Sequence, residues 1–201
     1  MNAFKMLAAG LATAVTMGGA AQAATYNATE YMDVVKGACT ASNQTQCTSN
    51  GRDKLDNLID SRKDTFYSLG LGGEVTLGFG TSFSAGTASV YEITFSRPTL
   101  KDRHYEAVEL YALDADKNEV GYSKVITNLD GSASFKIDGA FTYLKLKDVT
   151  STYDWGVKSS SFDGFDVGMV SIAAVPVPAA GGLLLAGLGG LAALRRRKKN
   201  A

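Results

Sequence analysis

Histidine occurs once in this 201-residue chain, tryptophan once and cysteine twice, and each scarcity closes off a class of chemistry. A Ser-His-Asp nucleophile would have to be built on His104, in Lys101-Asp102-Arg103-His104-Tyr105, and no Gly-x-Ser-x-Gly elbow occurs. His104 reads instead as a surface-loop histidine. Among the 20 acids no spacing singles out a carboxylate pair for glycoside cleavage. A phosphate cradle is missing too: Gly70-Leu71-Gly72-Gly73 runs into a strand pattern with no Lys-Ser/Thr and no following helix, so these glycines shape a turn. The chain is expected not to be an enzyme and to need no cofactor.

Sustained helical stripes and internal repeats are also lacking, and long apolar runs occur only at the two ends. At the first, Lys5 precedes an apolar run from Met6 to Gly19, and Ala21-Gln22-Ala23 offers a small-x-small cleavage site before Ala24. That is the pattern of a secretory leader over residues 1–23, handled by a translocon and a signal peptidase. At the other end, residues 175–201 fall into three parts: Val175, Pro176, Val177, Pro178 and Ala179; an apolar run over 180–194; and five cations, Arg195, Arg196, Arg197, Lys198 and Lys199. As a helix, the stretch from Val175 to Leu194 covers roughly 30 Å, about one hydrocarbon core. The cations predict a cytoplasmic C-terminus by the positive-inside rule. The prolines cannot continue a helix backward, so they mark an extended junction open to a processing enzyme.

This tail resembles the VPLPA variety of the PEP-CTERM sorting signal, with Val177 where that motif usually has Leu. The resemblance implies a bacterial envelope protein whose tail is recognised and removed or replaced by an exosortase, in a setting linked to exopolysaccharide or biofilm matrix. The alternative is a plain tail anchor. Either way, one span with the domain outside satisfies both ends, so the protein is expected to be exported and held at the inner membrane before any processing.

Between the ends, residues 24–174 suffice for one domain with a real core. The leader holds one cation and the tail five, leaving 14 against all 20 acids, a net charge of −6 for the domain. Such a surface argues against nucleic acid as a partner. Cys39 and Cys47 lie in a polar stretch and, in an exported chain, read as a disulfide. Asn27 or Thr29 is placed to cap a short helix through Val35, and Leu55, Leu58 and Ile59 suit another helical turn. From there the period is two. Val75, Leu77 and Phe79 alternate, as do Tyr91, Ile93 and Phe95, and Val108, Leu110 and Ala112; further strands are expected at 120–126, 134–137, 141–146 and 165–172. Seven or eight strands with turn signals between them indicate an all-β antiparallel sandwich or jelly roll. The stretch from Phe66 to Phe79, with Phe141 to Asp148 and Asp163 to Val167, resembles galactose-binding, discoidin-like β-sandwiches.

Three groups are candidate sites. Asp114-Ala115-Asp116-Lys117-Asn118 begins like an EF-hand but has Glu119 and Val125 where Gly and Glu belong, so it reads as a turn. Asp148, Asp163 and Asp166 can converge at one sandwich edge as calcium ligands, with turn acids as the alternative. Tyr153, Asp154 and Trp155, beside Ser159 to Ser161, offer an aromatic face with hydrogen-bonding neighbours, as sugar stacking requires, although Trp155 can equally plug the core. The expected role is therefore a structural or adhesive protein of the cell surface or matrix. The alternative is a lectin-like module binding extracellular polysaccharide, with or without calcium.

Overall fold

In a strand, successive side chains point to opposite faces, so apolar residues at every second position bury one face and wet the other. The computed structural model describes residues 23–40, 42, 44–93, 103–130 and 132–175. Among them form β1 (Thr25–Asn27), β2 (Glu30–Val35), β3 (Tyr67–Ser68), β4 (Glu74–Phe83), β5 (Gly86–Glu92), β6 (Ala107–Leu113), β7 (Glu119–Thr127), β8 (Ser132–Ile137), β9 (Phe141–Asp148) and β10 (Asp166–Ala174). One sheet has the order β1-β10-β5-β8, with β3 also paired to β10; the other runs β2-β4-β9-β6-β7. Every pairing between strands is antiparallel. The chain passes back and forth between the sheets, which makes the architecture the expected all-β sandwich.

Leu77, Leu144 and Leu110 from one sheet meet Val90, Ile137 and Ile172 from the other in a core closed to solvent. Outward positions carry charge. Lys147 pairs with Glu74 of the neighbouring strand β4 at 2.8 Å, and Lys145 reaches past β6 to Glu119 of β7 at 2.9 Å.

Two expectations need correction. The helix expected through Val35 is strand β2, at the edge of its sheet against β4. Its period-two signal is interrupted because the register shifts between Met32 and Val35, where Asp33 adopts φ 49°. Ten strands form among the described residues, against the seven or eight expected, since β1 and β3 are too short to show a period. The helical turn expected near Leu55 is a 3-10 helix, Leu55–Leu58, and Asp114 to Asn118 is the turn joining β6 to β7, with the Asp114 carboxylate accepting from the Asp116 and Asn118 N–H groups at 2.9 Å each. Cys39 and Cys47 form a disulfide, Cα atoms 6.4 Å apart.

Among the described residues no helix is long and apolar enough to cross a membrane. Most of the leader, Pro176 to Ala179 of the tail motif, the apolar run over 180–194 and the cations from Arg195 to Lys199 lie outside the described residues. Val175 is exposed, its N–H donating to the Ala85 carbonyl at 3.2 Å.

Candidate functional site

The connection from β9 to β10 abandons the alternating pattern and folds on its own polar groups. The Val149 carbonyl accepts from the N–H groups of Thr152 and Tyr153, at 3.0 and 2.8 Å. The Asp154 carboxylate accepts from the Gly156 N–H at 2.9 Å, and Gly156 sits at φ 67°, a conformation that costs glycine little. The Trp155 indole N–H donates to the Thr150 carbonyl at 3.1 Å. These bonds orient the ring. One face of Trp155 stacks on Tyr105, centroids 5.0 Å apart and planes 22° from parallel, and Tyr153 leans against it at 4.5 Å and 58°. Trp155 is half-buried while Tyr153 and Val157 are exposed.

Beside this platform lies a groove of about 480 Å³, lined by Tyr153, Trp155 and Val157 together with Thr40, Lys158 and Ser160. The Cys39–Cys47 bridge bears on its wall. Thr40, next to Cys39, is tied to the loop by its N–H, which donates to the Phe162 carbonyl at 2.9 Å. Aromatic rings beside hydroxyls and one ammonium suit a polyhydroxylated ligand better than a wholly apolar one.

Beneath the groove the core ends in acid. Glu92, Glu106, Asp148, Asp163 and Asp166 are all buried, none more than 5% exposed. Burial of a carboxylate is costly unless its oxygens are satisfied, and here donors reach Asp148, Asp163, Asp166 and Glu106. Asp148 accepts from the Gly72 N–H at 2.9 Å, the Phe165 N–H at 2.9 Å, the Thr150 hydroxyl at 2.7 Å and, more weakly, the Thr150 N–H at 3.3 Å. Asp163 accepts from Arg52 Nε at 2.6 Å and from the Ser68 hydroxyl at 3.2 Å; Ser68 also bonds Asp166. Glu106 Oε1 accepts from the Ser161 hydroxyl at 2.9 Å and lies 2.8 Å from His104 Nε2. Close backbone approach completes the packing. Gly164 has φ 71°, and a Cβ there would stand 2.7 Å from both the Asp148 carboxylate and the Gly70 carbonyl.

The charges are unevenly matched. Arg52 is held between the Phe66 and Phe162 rings, at 5.3 and 5.9 Å. The exposed stem of Lys36 sends its ammonium inward to the Ser68 carbonyl, 4.3 Å from the Tyr67 ring centre. Burial pushes the Glu106 carboxyl well above the usual range; the Ser161 hydroxyl opposes this, and the charges of Glu92, Asp163 and Asp148 add to it. Burial likewise drives Asp166 well up, reinforced by Glu106 and Asp163 and opposed by Ser68 and Arg52. Asp148 is raised by burial against the pull of its four hydrogen bonds. For Lys36 burial lowers the ammonium while Asp163, Asp53 and Asp166 resist.

The aromatic candidates Tyr153 and Trp155 thus come together on one groove, with Asp154 exposed beside them and one of its oxygens taken up by the turn. Of the three calcium candidates, Asp163 and Asp166 meet at Ser68, whereas Asp148 accepts four protein donors. Among the described residues, ligand atoms converge at His104, Glu106 and Asp163, within 4.8 Å of one another. Arg52 already stands against Asp163 as the counter-charge. His104 is half-buried rather than on a free surface loop, and it and Ser161 converge on a single oxygen of Glu106.

Sequence reasoning missed Glu106, Arg52 and Ser68. For Glu106 a signal existed: it shares the parity of Val108, Leu110 and Ala112, which places it on the inward face of the same strand path.

No protein-family model and no curated protein matches the chain. Solved structures similar to it include a fucose binding module of Streptococcus pneumoniae, at 10% identity and a TM-score of 0.43, covering 73% of this chain and 94% of that one. The C-terminal domain of a chitobiase from Bacteroides fragilis is similar at 13% identity and a TM-score of 0.48, over 74% and 94% of the two chains. The lectin domain of lectinolysin complexed with Lewis B antigen is similar at 11% and 0.40, over 71% and 92%. At these values the likeness carries no argument about a ligand.

Proposed function

We propose that this chain is an exported, non-catalytic saccharide-binding protein, and that its ligand lies in the loop groove against Tyr153 and Trp155. The observation that carries this reading is the oriented aromatic pair beside a hydroxyl-lined groove of about 480 Å³. Trp155 is fixed by its indole bond to Thr150 and by Tyr105, and Tyr153 rests against it, so little Trp155 side-chain entropy remains to be lost when a sugar stacks there. The buried acids act as a frame. Asp148 and Glu106 hold Thr150 and Ser161, which line the groove, in place. In this reading calcium has no part.

The leader and tail supply the setting. The domain is secreted and held by the 180–194 run, then processed by an exosortase-type enzyme at Val175 to Ala179 and left at the cell surface or in the matrix, where saccharide binding gives it an adhesive role. The intact mass of protein recovered from cells tests the sorting step: a chain ending near Pro178 supports it, and one still carrying Arg195 to Lys199 leaves a plain anchor. Binding is tested by electrophoresis of the full chain through gels containing galactan, mannan, dextran or alginate. Retardation in at least one gel, unchanged by chelator, is expected. Free migration in all of them would contradict the reading.

A further inference from the structure

A second concavity lies on the outer face of the β2-β4-β9 sheet. Register puts Glu30 opposite Gly78 and Gly78 opposite Tyr143, so these three residues form one row across three strands. Residues paired in register share a face. Because the middle one is glycine, the Glu30 side chain can fold across it and cover it: a Cβ on Gly78 would stand 2.2 Å from Glu30 Oε1 and 2.6 Å from its Cγ, and Gly78 is buried. Glu30 is exposed, with no hydrogen bond or ion pair from another described residue.

Past Gly78, β4 loses its pairing with β9 until Phe83, and Gly80 turns at φ 70°. This bulge lifts Thr81 and Ser82 into solvent, where the Ser82 and Thr142 hydroxyls pair at 2.9 Å. The cavity so enclosed holds about 300 Å³ and is lined by Glu30, Gly80, Thr81, Ser82, Thr142 and Tyr143, with Phe79. That volume is at the lower end of small-ligand pockets, about 300 Å³ and upward.

We infer that this cavity, with Glu30 and Tyr143 on its rim, is a second saccharide site, specific for neutral sugars. A carboxylate is an acceptor with two oxygens, able to take two hydroxyl donors at once, and the serine and threonine hydroxyls can donate or accept in return. Tyr143 supplies a ring for the apolar face of a sugar. The only charged lining group is Glu30, which repels uronates and sulfated sugars. The site stands independently of the loop groove.

The two sites lie near opposite ends of β9, Tyr143 close to its start and Thr150 just past its end. Seven residues of strand separate them by about 23 Å. A rigid strand joining two weak sites gains avidity on one long polysaccharide, or bridges two of them, without any new contact.

The test uses the full chain and its Glu30→Gln, Tyr143→Ala, Trp155→Ala and Trp155→Ala/Tyr143→Ala variants, run through gels containing galactan, mannan, dextran or alginate. On a neutral polysaccharide, Glu30→Gln and Tyr143→Ala should each weaken retention about tenfold, and the double variant should migrate freely. Glu30→Gln is a surface change, so its thermal midpoint should match the parent and exclude misfolding as the cause. Three results overturn the proposal: Glu30→Gln and Tyr143→Ala both matching the parent in every gel, with the double variant matching Trp155→Ala; retention by alginate alone; or retention by no polysaccharide. Loss with Glu30→Gln and Tyr143→Ala but none with Trp155→Ala would sustain this site while removing the loop groove.

Discussion

At one end of the sandwich Phe83 stacks on Phe141 at 5.0 Å, with Phe79 and Tyr26 edge-on to Phe83 at 6.0 and 5.3 Å. At the other end, along the same strands, the core closes on Glu92, Glu106, Asp148, Asp163 and Asp166. The first end is held by apolar burial, which is non-directional and tolerates small shifts. The second is held by directed bonds from Gly72, Thr150, Phe165, Ser68, Ser161 and Arg52, each of which fixes a loop in one position. Carboxylates removed from water add little net stability, so their value lies in position. The aromatic end stabilises the sheet pair; the acid end shapes the groove.

The largest expected effect breaks the aromatic end. Phe141→Ala deletes a fully buried ring and should cost about 3 to 5 kcal/mol in denaturant unfolding. Asp148→Ala should cost less, about 2 to 3 kcal/mol, because it leaves several donors without their acceptor. It should also weaken polysaccharide retention, which Phe141→Leu should leave intact.

Replacing both cysteines by serine frees a nine-residue loop and should cost about 2 to 3 kcal/mol in the chain-entropy model. Thr40 would then be less firmly placed, so retention should weaken along with the thermal midpoint.

A smaller effect sharpens the contrast through pH. Folding raises the Glu106 and Asp166 carboxyls above their unfolded values, so the folded state holds protons that the unfolded state has already lost. Their contribution is full below the ordinary carboxylate value near about 4 and is lost as pH rises through the folded values. The thermal midpoint should therefore fall as pH rises above the ordinary carboxylate range. Glu106→Gln, which keeps an acceptor for Ser161 and cannot ionise, should flatten that slope.

Much of the sandwich is legible in the residues because Val75, Leu77 and Phe79 of β4, Val108, Leu110 and Ala112 of β6, Phe135 and Ile137 of β8, and Leu144 and Leu146 of β9 recur at every second position. Strand β2 is not, since the Asp33 bulge interrupts its period, and β3 is only two residues long. At the site, Tyr153 and Trp155 stand out as aromatics in a polar loop. The acid frame is harder to see, yet three of its five members follow a rule: Glu92 has the parity of Ala88 and Val90, Glu106 that of Val108, and Asp148 that of Leu144 and Leu146. An acid on the inward parity at a strand end marks a core that closes on polar groups. Arg52 and Ser68 carry no such mark, because only the tertiary fold brings them to Asp163, more than 90 residues along the chain.

Trp155 is the chain's one tryptophan, so its fluorescence reports the loop groove without any substitution. Titrating the full chain with whichever polysaccharide retards it should change the emission saturably, over the same concentration range as the retardation. Emission that stays constant while the protein is fully retained would place the ligand elsewhere and contradict the assignment of the groove.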